Sequence, residues 1–289
     1  MNLLATELSN LGFLRVSGAD AAEFLQNLTS NDVRHLDDST AQHSSLCSPK
    51  GRMLASFLLF RMGGDYILLL PAEMVEKVKK RLSMYILRSK VSIEEATLAA
   101  TGVSGTGFPQ GLPEKRLEVG KTSSGIAIRL SESRILFVSE SGEGSAENKT
   151  FGTADLPYWE RLEILEGIPT IFPETEGLFV PQMVNFELIG GVSFQKGCYP
   201  GQEVVTRTHF LGKVKRRMVL AHVDSAIPPS PGEEIYCGED ATGTVARCAA
   251  DPRGGHDLLA VIQMENREGD LHLKSGDKLT LLQMPYSLP

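Results

Sequence analysis

The last third of the chain most narrows what it can fold into. From residue 214 onward the apolar residues fall in short runs, at 214–223, 234–237, 243–249, 258–262 and 278–282. Pro228-Pro229-Ser230-Pro231-Gly232, Asp251-Pro252-Arg253-Gly254-Gly255 and Lys274-Ser275-Gly276-Asp277 stand between several of them. These are turn residues, each favouring a sharp reversal for its own steric or hydrogen-bonding reason. Short, evenly spaced strands with Gly/Pro turns predict a small antiparallel β-barrel. Its boundary falls near residue 210.

The part before it mixes helix and strand patterns. Residues 13–16 predict a strand. Ala21, Phe24, Leu25 and Leu28 recur at helical spacing and predict a helix over 21–28, with Asp20 or Ser17 as its cap. Residues 47–51 read as a hairpin turn, and 53–60 and 66–70 as strands around Gly63-Gly64-Asp65. A helix over 72–87 would bury Met74, Val75, Val78, Leu82, Tyr85 and Ile86 and leave Lys77, Lys79, Lys80 and Arg81 in water. Residues 125–130 and 134–138 predict strands of a second lobe, and 158–167 a helix. The implied domains are 1–100, 101–209 and 210–289.

With 289 residues, 42% hydrophobic and 22% charged, the chain can bury a sizeable core in one large or two to three smaller domains. Its net charge of −7 opposes the positive field that broad nucleic-acid binding needs, so no stable nucleic-acid binding is expected. The longest apolar run, 54–70, is interrupted by Arg61, Gly63, Gly64 and Asp65 and cannot span a bilayer. Residues 1–20 lack the basic and apolar regions of a signal peptide. Cys47, Cys198, Cys237 and Cys248 are scattered, with no ligand spacing for a metal. Reduced thiols and a cytoplasmic location follow as expectations.

Residues 196–203, Lys-Gly-Cys-Tyr-Pro-Gly-Gln-Glu, carry the chemistry. So many polar groups in eight positions suit a turn better than a buried element, because each buried one needs a partner. Gly197 and Gly201 permit a positive φ or a close approach. Cys198 is the candidate reactive group, and Lys196 would favour its thiolate if the two side chains meet. A lone cysteine is also a common small core residue.

Phe179-Val180-Pro181-Gln182-Met183-Val184-Asn185-Phe186, continuing through Gly190-Gly191-Val192-Ser193-Phe194-Gln195 into this motif, resembles the signature of the YgfZ-type folate-binding proteins, relatives of the glycine-cleavage T protein (aminomethyltransferase). Val16-Ser17-Gly18-Ala19-Asp20, Thr29-Ser30-Asn31-Asp32-Val33, Cys47-Ser48-Pro49-Lys50-Gly51-Arg52 and Pro285-Tyr286-Ser287-Leu288 resemble further blocks of that family in the right order. The likeness implies an α+β fold of two linked, partly ferredoxin-like lobes around a central folate channel, plus the C-terminal β-barrel. It implies tetrahydrofolate as cofactor, iron–sulfur proteins or their assembly factors as partners, and through them tRNA modification.

The resemblance also implies site residues. Trp159 falls at a folate-contacting position, although a single tryptophan is as readily core. Leu11 stands where the family has a second tryptophan. Glu166, in Leu165-Glu166-Gly167, is one position from the pterin-binding carboxylate of aminomethyltransferases, a rotation of about 100° on a helix. Asn185, Tyr199, Gln202 and Glu203 complete the candidate folate set. Arg207 heads a basic group with His209, Lys213, Lys215, Arg216 and Arg217, suited to acidic folate tails or to an acidic protein partner, or simply to solvent. The aspartate pair of aminomethyltransferases is replaced by Ala55 and Ser56, neither of which can hold a proton at the reacting nitrogen. A folate-binding accessory protein is therefore expected ahead of a tetrahydrofolate-dependent aminomethyltransferase or demethylase. A thiol enzyme with Cys198 as nucleophile and His209 as base is a third possibility.

Overall fold

A computed structural model describes residues 3–140, 151–212 and 214–289. By contact the chain divides into two units, residues 1–44 with 57–159, and residues 45–56 with 160–289. The strand order is β1 (Leu4–Glu7), β2 (Leu11–Ser17), β3 (Ala41–Cys47), β4 (Met53–Met62), β5 (Asp65–Pro71), β6 (Ser92–Glu95), β7 (Leu98–Ser104), β8 (Val119–Lys121), β9 (Gly125–Ser131), β10 (Arg134–Glu140) and β11 (Gly152–Thr153). After them come β12 (Arg216–Val223), β13 (Glu234–Cys237), β14 (Asp240–Ala250), β15 (His256–Gln263), β16 (Leu271–Leu273) and β17 (Leu279–Leu282). Helices α1 (Ala21–Gln26), α2 (Ala72–Ser83), α3 (Leu156–Leu165) and α4 (Gln202–Phe210) are interspersed.

The first unit sets a six-stranded sheet, ordered β11-β1-β7-β10-β9-β8, beside a five-stranded one, ordered β3-β4-β5-β2-β6. Phe13, Phe60, Ile67 and Leu69 from the five-stranded sheet and Ile126, Ile128, Leu136 and Val138 from the six-stranded sheet share one apolar cluster. Trp159 belongs to it, and Leu11 packs against it. Helix α2 lies on β2, β5 and β6. It buries Met74, Val75, Val78 and Leu82 as its spacing requires, but it ends four residues short of the expected 87. Tyr85 is 43% exposed, so it leaves the stripe. Asp20 precedes α1 without capping it. Its carboxylate instead accepts from the Lys90 backbone N–H at 2.7 Å.

The second unit is built on a six-stranded antiparallel sheet, ordered β16-β13-β14-β15-β12-β17. Met218, Leu220, Leu259 and Val261 point to one apolar cluster. Their neighbours Val219, Ala221, Leu258, Ala260 and Ile262 point to another. Burial on both faces explains why these strands read as continuous apolar runs rather than as alternation. Register shifts between Ile235 and Tyr236 and between Val245 and Arg247 let the sheet bend. The edge strands β16 and β17 form no ladder with each other among the described residues; the isolated bridge nearest to one joins His272 to Lys278, the residue before β17. The expected barrel is thus a curled half-barrel without a closed ladder among the described residues.

Candidate functional site

The cysteine turn is held by a contact between distant segments of the second unit. Gly201 stands before α4 with φ +83°. A Cβ built there would lie 2.7 Å from the Cα of Gly51 and would press on the Ser48 carbonyl. Gly51 in turn fits against the Val204 side chain. The 47–52 turn closes with the Gly51 N–H donating to the Ser48 carbonyl at 2.8 Å. The Gln202 N–H donates to the Tyr199 carbonyl at 3.1 Å, and the Gln202 side-chain amide to the Lys196 carbonyl at 3.2 Å. From within the core, the Gln182 amide donates to the Val205 carbonyl at 2.7 Å.

This framework sorts the motif into two sets. Gly197, Cys198 and Glu203 face water. Lys196 is 5% and Tyr199 6% exposed. The Lys196 ammonium lies 5.1 Å from the Tyr199 ring centroid, a cation–π contact that offsets part of its desolvation. The Tyr199 hydroxyl is buried with no hydrogen-bond partner among the described residues. Burial raises its phenol above the ordinary value, and buried Cys47 adds to the shift. Burial likewise pushes the Cys47 thiol up to about 12. Cys47 is therefore an inert core thiol at neutral pH, while Cys198 is an accessible one.

Asn185 is fully buried with φ +57°. Its amide donates to the Met218 carbonyl at 2.8 Å, and its side-chain oxygen accepts from Arg217 at 3.4 Å. Protein groups thus occupy both ends of this amide. Arg217, expected on the basic rim, is 6% exposed. It pairs with Glu187 and donates to the Gln182 carbonyl at 2.9 Å, bracing the 181–187 segment on β12. The rest of the expected rim divides. Arg207, His209, Lys215 and Arg216 are exposed, and Lys213 lies outside the described residues. His209 stacks on Phe194 in the last turn of α4, whereas Cys198 precedes its first turn.

Glu166 is half-buried at the end of α3. Gly167 follows with φ +65°. Its N–H reaches the Ile164 carbonyl at 2.9 Å, and the Ile168 N–H reaches the Glu163 carbonyl at 3.0 Å, a Schellman ending. The Tyr286 hydroxyl then donates to the Gly167 carbonyl at 2.9 Å. Sequence reasoning missed this role of Tyr286, for which Pro285-Tyr286 gave only a family likeness.

Trp159 and Leu11 lie in the first unit. Trp159 is 2% exposed. A Cβ on Gly102 would come within 2.5 Å of its ring, and the Arg134 guanidinium sits 4.8 Å from the ring centroid. The ring is thus packed by protein, but its Nε1–H has no partner among the described residues. A buried donor left this way costs about 1–3 kcal/mol.

Ala55 and Ser56, in β4, are 1% and 6% exposed. The Ser56 hydroxyl accepts from the Ile171 N–H at 3.0 Å, so its oxygen serves the backbone. One group outside the motif has metal-like spacing: His222, Asp251 and Asp257. Arg161 reaches Asp257 at 2.7 Å and Asp251 at 3.4 Å, and Arg253 reaches Asp251 at 2.8 Å. Two guanidiniums already offset the two carboxylates, which makes this a charge-paired cluster and a poor cation site.

The GCVT N-terminal domain family matches residues 3–107. The chain is 31% identical to the tRNA-modifying protein YgfZ of Vibrio atlanticus, over 99% of this chain and 93% of that protein. It is 30% identical to the tRNA-modifying protein YgfZ of Escherichia coli O157:H7, over 97% and 92%. Among solved structures, the glycine cleavage system aminomethyltransferase T of Bartonella henselae superposes with a TM-score of 0.75 at 13% identity, covering 98% of this chain and 86% of that one. That similarity shows a shared mixed α+β fold.

Proposed function

The chain belongs to the YgfZ family, and from that membership we propose that it is a tetrahydrofolate-binding accessory protein supporting iron–sulfur cluster assembly or repair, and through it tRNA modification. The observation that carries this reading is the contrast between two parts of one unit. The Cys198 turn is pinned in place with its thiol in water. The strand that would supply an aminomethyltransferase carboxylate offers buried Ala55 and a Ser56 hydroxyl engaged with Ile171. A one-carbon transferase needs a positioned acid or base at that point; an accessory thiol does not.

The Trp159 Nε1–H suits a folate, since a pterin edge is rich in acceptors and would satisfy this buried donor. Trp159 acts in this reading as a hydrogen-bond donor rather than a stacking platform. Folate itself would supply a one-carbon carrier. The chain's own part is to hold that ligand and to present Cys198.

Calorimetry of tetrahydrofolate binding under anaerobic conditions tests the folate reading. Wild type binds, and Trp159→Phe, which keeps a ring but loses the N–H, binds about 2- to 13-fold more weakly, equivalent to about 0.5–1.5 kcal/mol. Absence of binding to wild type removes the folate assignment, and equal binding removes the Trp159 contact. For the thiol, Cys198→Ala should fail to restore iron–sulfur enzyme activity in cells lacking this chain. Steady formation of methylene-tetrahydrofolate from an S-aminomethyl donor by the pure protein, with free thiol and ammonia released, would instead establish an aminomethyltransferase.

A further inference from the structure

We propose that the C-terminal end of α4 and the start of β12 form a docking surface for a protein partner, one presenting an apolar side chain ringed by carboxylates. Phe194 and His209 stack with centroids 3.8 Å apart and planes 14° from parallel. Phe210 closes on both edge-on, at 6.0 Å from Phe194 and 4.8 Å from His209. The stack fixes Phe210 while leaving it 66% exposed, and Leu211 beside it is 85% exposed. An aromatic held rigid before contact loses little entropy on binding and makes a good interface anchor. Lys215 and Arg216 follow within six residues of Phe210, are exposed, and make no ion pair among the described residues. Exposed cations five and six residues along the chain from an apolar anchor, without an ion-pair partner among the described residues on a chain of net charge −7, call for an acidic rim on the partner.

Nucleic acid fits this surface less well. Leu211 has no value for base stacking, and one face of His209 is already covered by Phe194. Two exposed cations do not make the charged groove that tracks a phosphate backbone. The position is also informative. The loop from Phe194 to Gly201 runs back from the last turn of α4 to its first, a helix of nine residues and about 13 Å. A protein seated on Phe210 would therefore lie about one short helix from Cys198. The inference does not depend on folate binding.

The test places a photo-crosslinking residue at position 210 of the full-length protein in its own cells, with position 87, an exposed leucine of the other unit, as control. Captured segments are sequenced by mass spectrometry. The expected segments carry Asp or Glu around an apolar residue, and Lys215→Glu with Arg216→Glu lowers their yield at least tenfold. Thermal unfolding of the same variant stays at the wild-type value. A nuclease-sensitive product, captured segments without acidic residues, a yield no higher than at position 87, or indifference to the charge reversal would each overturn the proposal.

Discussion

At the scale of single residues, the two glycines of the cysteine motif look equivalent in the sequence and are not. Gly201 has φ +83° and meets Gly51 and Ser48, whereas a Cβ on Gly197 would meet nothing within 4 Å. Gly201→Ala should cost about 1–3 kcal/mol for the left-handed backbone alone, with the overlap on Gly51 added. Gly197→Ala should change stability by no more than about 0.5 kcal/mol. Urea midpoints of the two variants decide this, and equal midpoints would contradict it. The polar composition of the motif correctly pointed to a turn with an exposed cysteine. It concealed the burial of Lys196 and Tyr199, because that burial comes from packing partners the local sequence does not name.

At the scale of elements, legibility followed how much local pattern each segment carries. β13 was readable to the residue, since its apolar run is bounded by turn residues. Helix α4 was not, because Val204, Val205, Thr206 and Thr208 are β-branched and weak helix formers. Helix α2 was overextended. Its apolar spacing continues past Ser83, but the N–H groups of Met84, Tyr85 and Ile86 bond three residues back and tighten the chain into a 3-10 ending, which turns the following residues off the helical stripe. The end of α3 depends on a partner 119 positions away, the Tyr286 hydroxyl on the Gly167 carbonyl. Tyr286→Phe keeps the ring and should lose about 0.5–1.5 kcal/mol in chemical denaturation. A larger loss would mean that the ring itself had shifted.

At the scale of the whole molecule, acid sensitivity follows from carboxylates held ionised in both units. A hydrogen bond from the Arg34 side chain, the largest cause, holds Asp32 at about 2 against an ordinary 3.8. Arg253, again first by its side-chain hydrogen bond, holds Asp251 well below the carboxylate range, with Arg161 adding to it. A depressed folded pKa means that the stabilisation is complete above the unfolded value and is lost as pH falls through the folded one. Stability should thus fall from about pH 3.8 toward about pH 2. Asp32→Asn should flatten that part of the profile in urea titrations at stepped pH, and an unchanged profile would rule the carboxylate out. The family resemblance reached this scale from the sequence. By contact, residues 45–56 join a unit otherwise made of 160–289. That arrangement also sets a timetable. On the ribosome, residue 51 emerges long before residue 201, and at about 5–20 residues per second the delay is roughly 7–30 s. Throughout it the 45–56 segment carries Cys47 and Met53 without the core they will join. The cysteine turn therefore takes its shape late in synthesis, and a nascent chain stalled before residue 201 exposes an apolar segment for chaperones to hold.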